Sequence, residues 1–127
     1  MDDQLLRIDG LEVTYHTHQG PIQALHDVTL ALNANEVLGL VGESGCGKTT
    51  TGKILMKLLE PTGGQMILDG QDVTHITAER LRKYRREVQM IFQDPYASMN
   101  PRFRIRDVLE EPLLIHKVGE DHQARLQ

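Results

Sequence analysis

Residues 42–49 read GESGCGKT, and this stretch carries the most specific pattern in the sequence. It satisfies the spacing G-x-x-x-x-G-K-[ST], with Gly42, Gly47, Lys48 and Thr49 at the four defined positions. Glycine adopts backbone conformations with positive φ and allows close approach, so successive N–H groups of the loop can converge on phosphate oxygens. The stretch therefore predicts a loop that binds the phosphate groups of a ligand.

The segments on either side of the loop support this prediction. Residues 37–41, VLGLV, are apolar without alternation, which is typical of a strand covered on both faces in a central parallel sheet. The next stretch, residues 48–59, predicts a helix that ends at Pro61 and the pair Gly63-Gly64. The positive end of such a helix would face the bound anion. Its apolar positions recur at helical spacing: Ile54, Leu55, Leu58 and Leu59.

The motif assigns roles to individual side chains of the loop. Lys48 can reach the β- and γ-phosphates of a nucleotide, and the hydroxyl of Thr49 can ligate Mg²⁺. Cys46 lies inside the loop, so alkylation of its thiol should block nucleotide binding sterically. The alternative is a glycine-rich turn that binds nothing, which the complete motif and both flanking elements disfavour. The candidate nucleotide-binding residues are Gly42, Glu43, Ser44, Gly45, Cys46, Gly47, Lys48, Thr49 and Thr50.

Length and composition limit the possible classes of protein. The 127 residues suffice for one domain or for a piece of a larger one. The net charge of -4 argues against nucleic acid or an anionic membrane surface as the main partner, since either would favour a basic excess. Cys46 is the single cysteine, so no intramolecular disulfide is expected. Without a signal-peptide pattern or an apolar run of membrane-spanning length, the sequence predicts a cytosolic chain.

The remaining patterns predict an antiparallel β layer ahead of the loop and further elements after it. Residues 5–15 and 22–32 show the pattern of strands, and a turn-like break separates them. Thr77 is a candidate N-cap for a polar helix. The other expected elements are a hairpin at residues 65–73 with Asp69-Gly70 as its turn, an apolar strand at 88–95, an amphipathic stretch at 105–118 interrupted by Pro112, and a helix that starts within 119–127.

Two stretches together resemble the ATPase subunits of ABC transporters. They are GESGCGKTTTGKILMKLLEPTGGQMILDGQDV at residues 42–73 and MIFQDPYASMNPR at residues 90–102. The second stretch is particularly similar to the peptide-importer branch, which includes oligopeptide and dipeptide importers and has nickel and glutathione importers as relatives. The resemblance extends from Tyr15 to about Leu114. It implies an α/β fold of the P-loop NTPase type, the ABC ATPase core, with an antiparallel β subdomain and in an incomplete form.

The resemblance also implies roles for residues outside the loop. Tyr15 matches the aromatic residue that stacks on adenine in this family, and the alternative of a core or cross-strand tyrosine stays open. Gln93 matches the glutamine of the Q-loop, whose carbonyl can bind Mg²⁺ while its amide contacts the attacking water. Lys48 and Gln93 are therefore the candidate catalytic residues, and Thr49 and Gln93 are the candidate Mg²⁺ ligands. The loop after Gln93 is expected to contact the membrane subunits.

Several parts of the family's catalytic machinery have no match in the sequence. The LSGGQ signature, the Walker B acid with its following glutamate, and the switch histidine are all missing from residues 1–127. Asp69 and Asp94 each follow an apolar stretch. Asp69 belongs to a predicted turn and Asp94 comes one place after Gln93, so neither is assigned as the Walker B acid. Residues 1–127 are therefore expected to be the N-terminal part of one ABC ATPase domain, with the front β layer, the P-loop, the Q-loop and the start of the helical subdomain.

These inferences lead to one expected function and two alternatives. The expected function is the binding of ATP, with Mg²⁺, by the energy-coupling subunit of an ABC importer for di- or oligopeptides. Its expected partners are transmembrane permease subunits and a second ATPase subunit, with no nucleic acid, at the inner face of the cell membrane. The alternatives are a nucleotide-binding module without hydrolytic activity and a different P-loop enzyme, such as a small kinase or GTPase.

Three further groups of residues have simpler interpretations. The basic residues within 79–87 are favoured as a solvated helix face over a nucleic-acid patch. His16 and His18 are favoured as surface residues over metal ligands. Glu110 and Glu111 are adjacent on a predicted helix and point apart, so they are poor candidates for a catalytic pair.

Overall fold

The computed structural model describes residues 4–118, which belong to two compact units that divide between Gln89 and Met90. Within residues 4–118, the first unit holds a β-sheet and two helices, and the second unit holds two helices. The elements are β1 (Gln4–Thr17), β2 (Gly20–Asn33), α1 (Lys48–Leu55), β3 (Gly63–Leu68), β4 (Gln71–Asp72), α2 (Ala78–Glu87), α3 (Pro95–Ser98) and α4 (Ile105–Ile115).

The four strands form one sheet in the order β2-β1-β3-β4, and every pair is antiparallel. A tight turn joins β1 to β2, and across it the hydroxyl of Thr17 donates to the carbonyl of Gly20 (2.8 Å). β3 and β4 are joined at Asp69 and Gly70, which both have positive φ (48° and 70°). The predicted antiparallel layer and the predicted Asp69-Gly70 turn are therefore confirmed, although β4 is only 2 residues long.

One face of this sheet packs against α1 and forms the core of the first unit. Ile8, Leu11 and Val13 of β1 are buried, and a bulge that contains Gly10 (φ 56°) accounts for the three-residue step from Ile8 to Leu11. Ile54 of α1 is fully buried in the same cluster. The burial of this apolar surface holds α1 on the sheet. The other buried hydrophobic members are Leu25, Met66, Val73 and Tyr84.

The apolar stretch at residues 37–41 does not form a strand, so the prediction of a buried parallel strand there is wrong for this structure. Val37 and Val41 are 96% and 92% exposed. A parallel strand needs neighbours whose N–H and C=O groups pair with its own. Within residues 4–118, every strand belongs to the antiparallel sheet. The apolar pattern expresses a preference for burial, but it cannot supply the neighbouring strands.

The predicted strand at residues 88–95 is wrong for the same physical reason. This segment pairs with none of the described strands, and Ile91 is 97% exposed. Pro95, which was expected to stop a strand, is the first residue of α3. Proline suits the first position of a helix because the N–H group it lacks would have no helical partner there.

α1 ends at Leu55, about one turn earlier than predicted. Lys57 has a left-handed backbone (φ 54°) and donates its N–H to the carbonyl of Ile54 (2.9 Å), while the N–H of Leu58 bonds to the carbonyl of Lys53 (2.9 Å). This hydrogen-bond pattern is a common way for a helix to stop, but the left-handed residue is usually glycine. The stop therefore precedes Pro61, and Leu58 lies outside the helix and is exposed.

The helices after the sheet confirm one boundary and correct another. The hydroxyl of Thr77 accepts a hydrogen bond from the N–H of Arg80 (3.5 Å), as expected of an N-cap. α4 continues through Pro112 to Ile115, so the predicted interruption is wrong. Pro112 is exposed, so water can reach the carbonyl that loses its helical donor.

The expected helix start within residues 119–127 lies outside the described residues. No helix within residues 4–118 has the length and apolar character needed to cross a membrane.

Candidate phosphate-binding site

The loop at residues 42–47 leads directly into α1, and its geometry requires its glycines. Gly45 and Gly47 have positive φ (84° and 102°), where a side chain would be strained. A Cβ on Gly42 would lie 2.5 Å from the Sγ of Cys46, and a Cβ on Gly47 would lie 2.5 Å from Cδ2 of Leu25. The loop is therefore tightly folded at Gly42 and Gly47, and it packs against β2 at Leu25.

The N-terminal end of α1 presents amide groups that the protein leaves unbonded. In the described part of the chain, no carbonyl or side chain accepts a hydrogen bond from the N–H groups of Gly45, Gly47, Thr49 or Thr50. The first helical bond runs from the N–H of Thr51 to the carbonyl of Gly47 (2.9 Å), and the first turn contains no acidic side chain. These donors, together with the positive end of the helix dipole, form a site for an anion.

Lys48, the first residue of α1, folds its side chain back over the loop. Its Nζ donates to the carbonyls of Gly42 (2.6 Å) and Glu43 (2.7 Å) and lies 3.4 Å from the Sγ of Cys46. All these partners are groups of the loop itself. The ammonium is therefore already beside the unbonded amides, and it needs only to exchange backbone carbonyls for phosphate oxygens.

The same contacts set the pKa of the Cys46 thiol. Desolvation raises this pKa, but hydrogen bonds from the backbone and side chain of Lys48, and its positive charge, outweigh that effect. The net result is a pKa below the ordinary value for a thiol. Cys46 is also exposed. The thiol is therefore accessible and more easily ionised than an isolated cysteine.

A cavity of about 420 Å³ lies over the N-terminal end of α1. The hydroxyl of Thr49 has no hydrogen-bond partner among residues 4–118, whereas the hydroxyl of Thr51 donates to the carbonyl of Gly47 (3.0 Å). A free hydroxyl beside an anion site is a suitable oxygen ligand for Mg²⁺, so the donor set fits this metal. The residues that line the cavity are Ser44, Gly45, Gly47, Lys48, Thr49 and Thr50.

Tyr15 lies in β1, where it pairs with Ile22 of β2, and it is 39% exposed. It follows Leu11 and Val13 at two-residue spacing on the sheet face that packs against α1. The partner of Val13 on β2 is Leu25, the residue that contacts Gly47. Tyr15 therefore extends from the sheet face that carries the loop, with part of its ring open to solvent. Its contact with adenine stays a prediction.

Gln93 lies in the second unit, in a bend between α2 and α3, and it is exposed. Its contribution to the phosphate-binding site stays a prediction. The next residue, Asp94, is the N-cap of α3: its Oδ1 accepts hydrogen bonds from the N–H groups of Tyr96 (3.0 Å) and Ala97 (3.2 Å). Asp94 and the turn residue Asp69 therefore both have local structural roles, and neither is assigned as the Walker B acid.

Other candidate residues show little sign of a site. Among residues 4–118, no group of three or more His, Cys, Asp or Glu side chains could hold a metal ion, which leaves His16 and His18 as surface residues. The basic residues of α2 are partly used within the protein, since Arg80 donates to Gln71 (3.1 Å) and Lys83 pairs with Glu87 (3.7 Å).

The packing behind the loop has no signal in the sequence. Leu25 and the carbonyl of Ala24, both on β2, approach Gly47 so closely that only a hydrogen atom fits at its Cα. The alternation of β2 predicts a strand, but it does not indicate that this strand supports the loop, because the contact joins residues more than twenty positions apart. A long-range contact of this kind becomes visible only in the structure.

The glycine loop, the uncapped helix and the lysine over them define a P-loop nucleotide-binding fold. A family model described as "ABC transporter" matches residues 25–127. The chain belongs to the ABC transporter family.

Two similar proteins have names that refer to peptide transport. The chain is 41% identical to "Oligopeptide transport ATP-binding protein OppF" of Bacillus subtilis (strain 168), with 100% of the chain and 42% of that protein covered. It is 45% identical to a "Putative peptide import ATP-binding protein" of Brucella ovis, with 91% of the chain and 36% of that protein covered. The chain therefore spans about two-fifths of the length of these relatives.

Solved structures share the fold. The chain matches the ATP-binding cassette MJ0796, solved as a dimer in a post-hydrolysis state bound to ADP and Pi, with a TM-score of 0.77 and 26% identity. The match covers 94% of this chain and 52% of that one. A second match, cbiO1 from Clostridium perfringens, has a TM-score of 0.67 at 24% identity and covers 78% of this chain and 38% of that one. The predicted P-loop NTPase fold of the ABC type is therefore confirmed.

Proposed function

We propose that the protein binds ATP as the energy-coupling subunit of an ABC importer for di- or oligopeptides. The observation that carries this proposal is the set of unbonded amides at the N-terminal end of α1, with the ammonium of Lys48 beside them. The peptide class rests on the names of the similar proteins from Bacillus subtilis and Brucella ovis. Residues 1–127 would form the N-terminal part of one ATPase domain.

Binding of the triphosphate would replace one set of contacts by another. Lys48 would leave the carbonyls of Gly42 and Glu43 and place its ammonium against the β- and γ-phosphates. The N–H groups of Gly45, Gly47, Thr49 and Thr50 would donate to phosphate oxygens without rearrangement, because they have no partner to give up. Thr49 and Gln93 would hold Mg²⁺, which would supply positive charge against the phosphates.

Tyr15 would set the preference for adenine. Its ring is partly exposed on the sheet face that carries the loop, and a flat aromatic face stacks well on a purine. A GTPase or a kinase of another P-loop family would have no need for this residue. A preference for ATP over GTP that depends on Tyr15 is therefore part of the proposal.

Hydrolysis is assigned to the complete protein. In-line attack of water on the γ-phosphate needs a carboxylate that organises Mg²⁺ and a group that positions the water. Gln93 would position the water, but Asp69 and Asp94 are engaged in a turn and a helix cap. This observation also favours a second candidate function, a nucleotide-binding module that does not hydrolyse ATP.

The second unit would supply the contact with the permease subunits. A cavity of about 370 Å³ lies between α3 and α4, and apolar side chains on its rim are exposed, including Tyr96 and Ile105. An exposed apolar patch of this kind marks a surface for another protein. The chain would then lie at the inner face of the membrane through its partner, together with a second ATPase subunit. The cavity is lined by Tyr96, Met99, Asn100, Pro101, Phe103, Ile105, Val108 and Leu109.

Calorimetric titration with Mg-ATP and with Mg-GTP tests the binding step. The proposal expects saturable heat with ATP, weaker binding of GTP, and loss of the difference in a Tyr15→Ala variant. A stronger preference for GTP would remove the adenine role of Tyr15. Turnover of ATP by this chain and by the full-length gene product then separates the two candidates, because a full-length protein that binds ATP without hydrolysing it is the module.

A further inference from the structure

The C-terminal end of α1 is held from outside by α2. The hydroxyl of Tyr84 donates to the carbonyl of Leu55, the last residue of α1 (2.5 Å), and the guanidinium of Arg85 donates to the carbonyl of Lys57 (3.5 Å). The last carbonyls of a helix have no partner within the helix. Two adjacent residues of α2 therefore bond the groups that the end of α1 leaves free.

The same end of α1 is also tied to the sheet by a buried lysine. Lys57 is 6% exposed, and its Nζ donates to the carbonyl of Thr74 (2.6 Å). The hydroxyl of Thr74 in turn accepts from the N–H of Met66 in β3 (2.8 Å). Burial lowers the pKa of Lys57, which expresses the cost of removing an ammonium from water. A buried ammonium on a left-handed backbone persists only where the surroundings hold it firmly.

These contacts lie at one end of a short helix whose other end carries the phosphate-binding loop. α1 has 8 residues, so its two ends are only about 12 Å apart. A helix of two turns moves as a rigid body, so a shift at Leu55 would also displace the amides at Lys48. An N–H group that moves by about 1 Å from its best position no longer makes a good hydrogen bond to a phosphate oxygen.

We propose that Tyr84 is a positioning residue that couples α2 to the phosphate-binding loop through the carbonyl of Leu55. The proposal rests on the proposed nucleotide binding and deepens it by naming the element that responds to the nucleotide. Coupling between two sites is reciprocal. Nucleotide at the N-terminal end of α1 therefore makes α2 more ordered, and a firmly held α2 makes nucleotide binding tighter.

A Tyr84→Phe substitution tests this coupling, because it keeps the buried ring and removes the hydroxyl alone. We expect the Kd for Mg-ATP to rise roughly three- to tenfold. We also expect Mg-ATP to slow amide hydrogen exchange in α2 in the wild type and to have a much smaller effect there in the variant. The matched control is Thr29→Val, which removes the hydrogen bond that the hydroxyl of Thr29 on β2 accepts from the N–H of Gly10 (3.0 Å).

A readout without nucleotide separates this proposal from the proposed function. The pH profile of Cys46 alkylation reports how close Lys48 lies to the thiol. In Tyr84→Phe the midpoint of this profile should rise, and in Thr29→Val it should stay at the wild-type position. If the midpoint rises although the wild type binds no ATP, the positioning role stands and the proposed function fails.

The coupling is refuted by a variant that matches the wild type in all three measurements. It is also refuted if Tyr84→Phe and Thr29→Val lower the melting temperature equally and then change the Kd and the alkylation profile equally. General loss of stability would explain that result, and the contact with Leu55 would have no special part in it.

Discussion

The N-terminal ends of α1 and α2 differ in one respect that separates a binding site from a structural element. At α2, the hydroxyl of Thr77 accepts a hydrogen bond from Arg80, and Glu79 lies in the first turn. At α1, the N-cap is Gly47, which has no side chain, and the first turn contains no acid. The N-terminal end of α2 is therefore partly satisfied and partly neutralised by the protein's own side chains. The empty end keeps its donors and its positive dipole for a ligand.

Among the changes at the N-terminal end of α1, alkylation of Cys46 should have the largest effect on the binding of Mg-ATP. The thiol lies 3.4 Å from the Nζ of Lys48, and its lowered pKa favours reaction near neutral pH. A bulky maleimide adduct in this loop should eliminate detectable binding of Mg-ATP in an equilibrium titration. A Cys46→Ser variant treated in the same way is the control, and it should retain its binding. Full affinity in the alkylated wild type would mean that Cys46 lies away from the nucleotide.

Removal of the Lys48 ammonium should have the second-largest effect on the binding of Mg-ATP. Lys48→Ala loses charge-assisted hydrogen bonds to two phosphates, so the Kd for Mg-ATP should rise by about 100- to 1,000-fold. Fluorescent-nucleotide titration measures the change. The matched control is Lys117→Ala, an exposed lysine just after α4, which should leave the Kd unchanged. Equal effects of the two substitutions would indicate a general charge effect rather than a specific contact.

An acidic side chain added to the first turn of α1 should raise the stability of the fold and lower the affinity for Mg-ATP. Thr50→Glu places a carboxylate in the first turn of α1, where it should stabilise the fold by about 0.3–1 kcal/mol. The same charge should repel the triphosphate and weaken Mg-ATP binding by roughly tenfold. Thermal unfolding and titration measure the two quantities. If stability and affinity moved in the same direction, the amides of α1 would not be the groups that hold the anion.

The smallest effect is expected for Asp72, whose carboxylate already accepts a hydrogen bond from a backbone amide. Asp72 accepts hydrogen bonds from Gln65 (2.7 Å) and from the N–H of Thr74 (2.8 Å), and these bonds lower its pKa from 3.8 to about 2. A carboxyl with a lowered folded-state pKa stabilises the fold above its unfolded pKa and loses this contribution as the pH falls through the folded value.

Asp72→Asn should therefore be less stable than the wild type at neutral pH. The difference should shrink as the pH falls from about 4 to about 2 and should not depend on nucleotide. Chemical denaturation at a series of pH values measures it. A difference that stayed constant down to pH 2 would show that the Asp72 charge is not involved.

The sequence predicts well those features that depend on neighbouring residues alone. The loop motif, the Asp69-Gly70 turn and the Thr77 cap are local, because a short stretch contains all the groups that form them. The strands β1 and β2 are joined by a tight turn, so their pairing is nearly local as well.

The sequence predicts poorly those features that need distant partners. Residues 37–41 and 88–95 carry the apolar pattern of buried strands, but pairing depends on strands elsewhere. The early stop of α1 depends on Lys57, a residue type that gives no signal for a left-handed backbone. For the site, the motif gave the loop and Lys48, whereas the packing of Leu25 against Gly47 has no counterpart in any local pattern. Tyr15 and Gln93 depend on the resemblance for their roles.

The decisive experiment is a titration of isotope-labelled protein with Mg-ATP, followed by NMR of the backbone amides. We expect large shifts for Gly45, Gly47, Thr49 and Thr50, whose N–H groups are unbonded, and small shifts for the capped amide of Arg80. If these loop amides stayed unchanged while others in the protein moved, the phosphates would bind elsewhere and the account would be wrong.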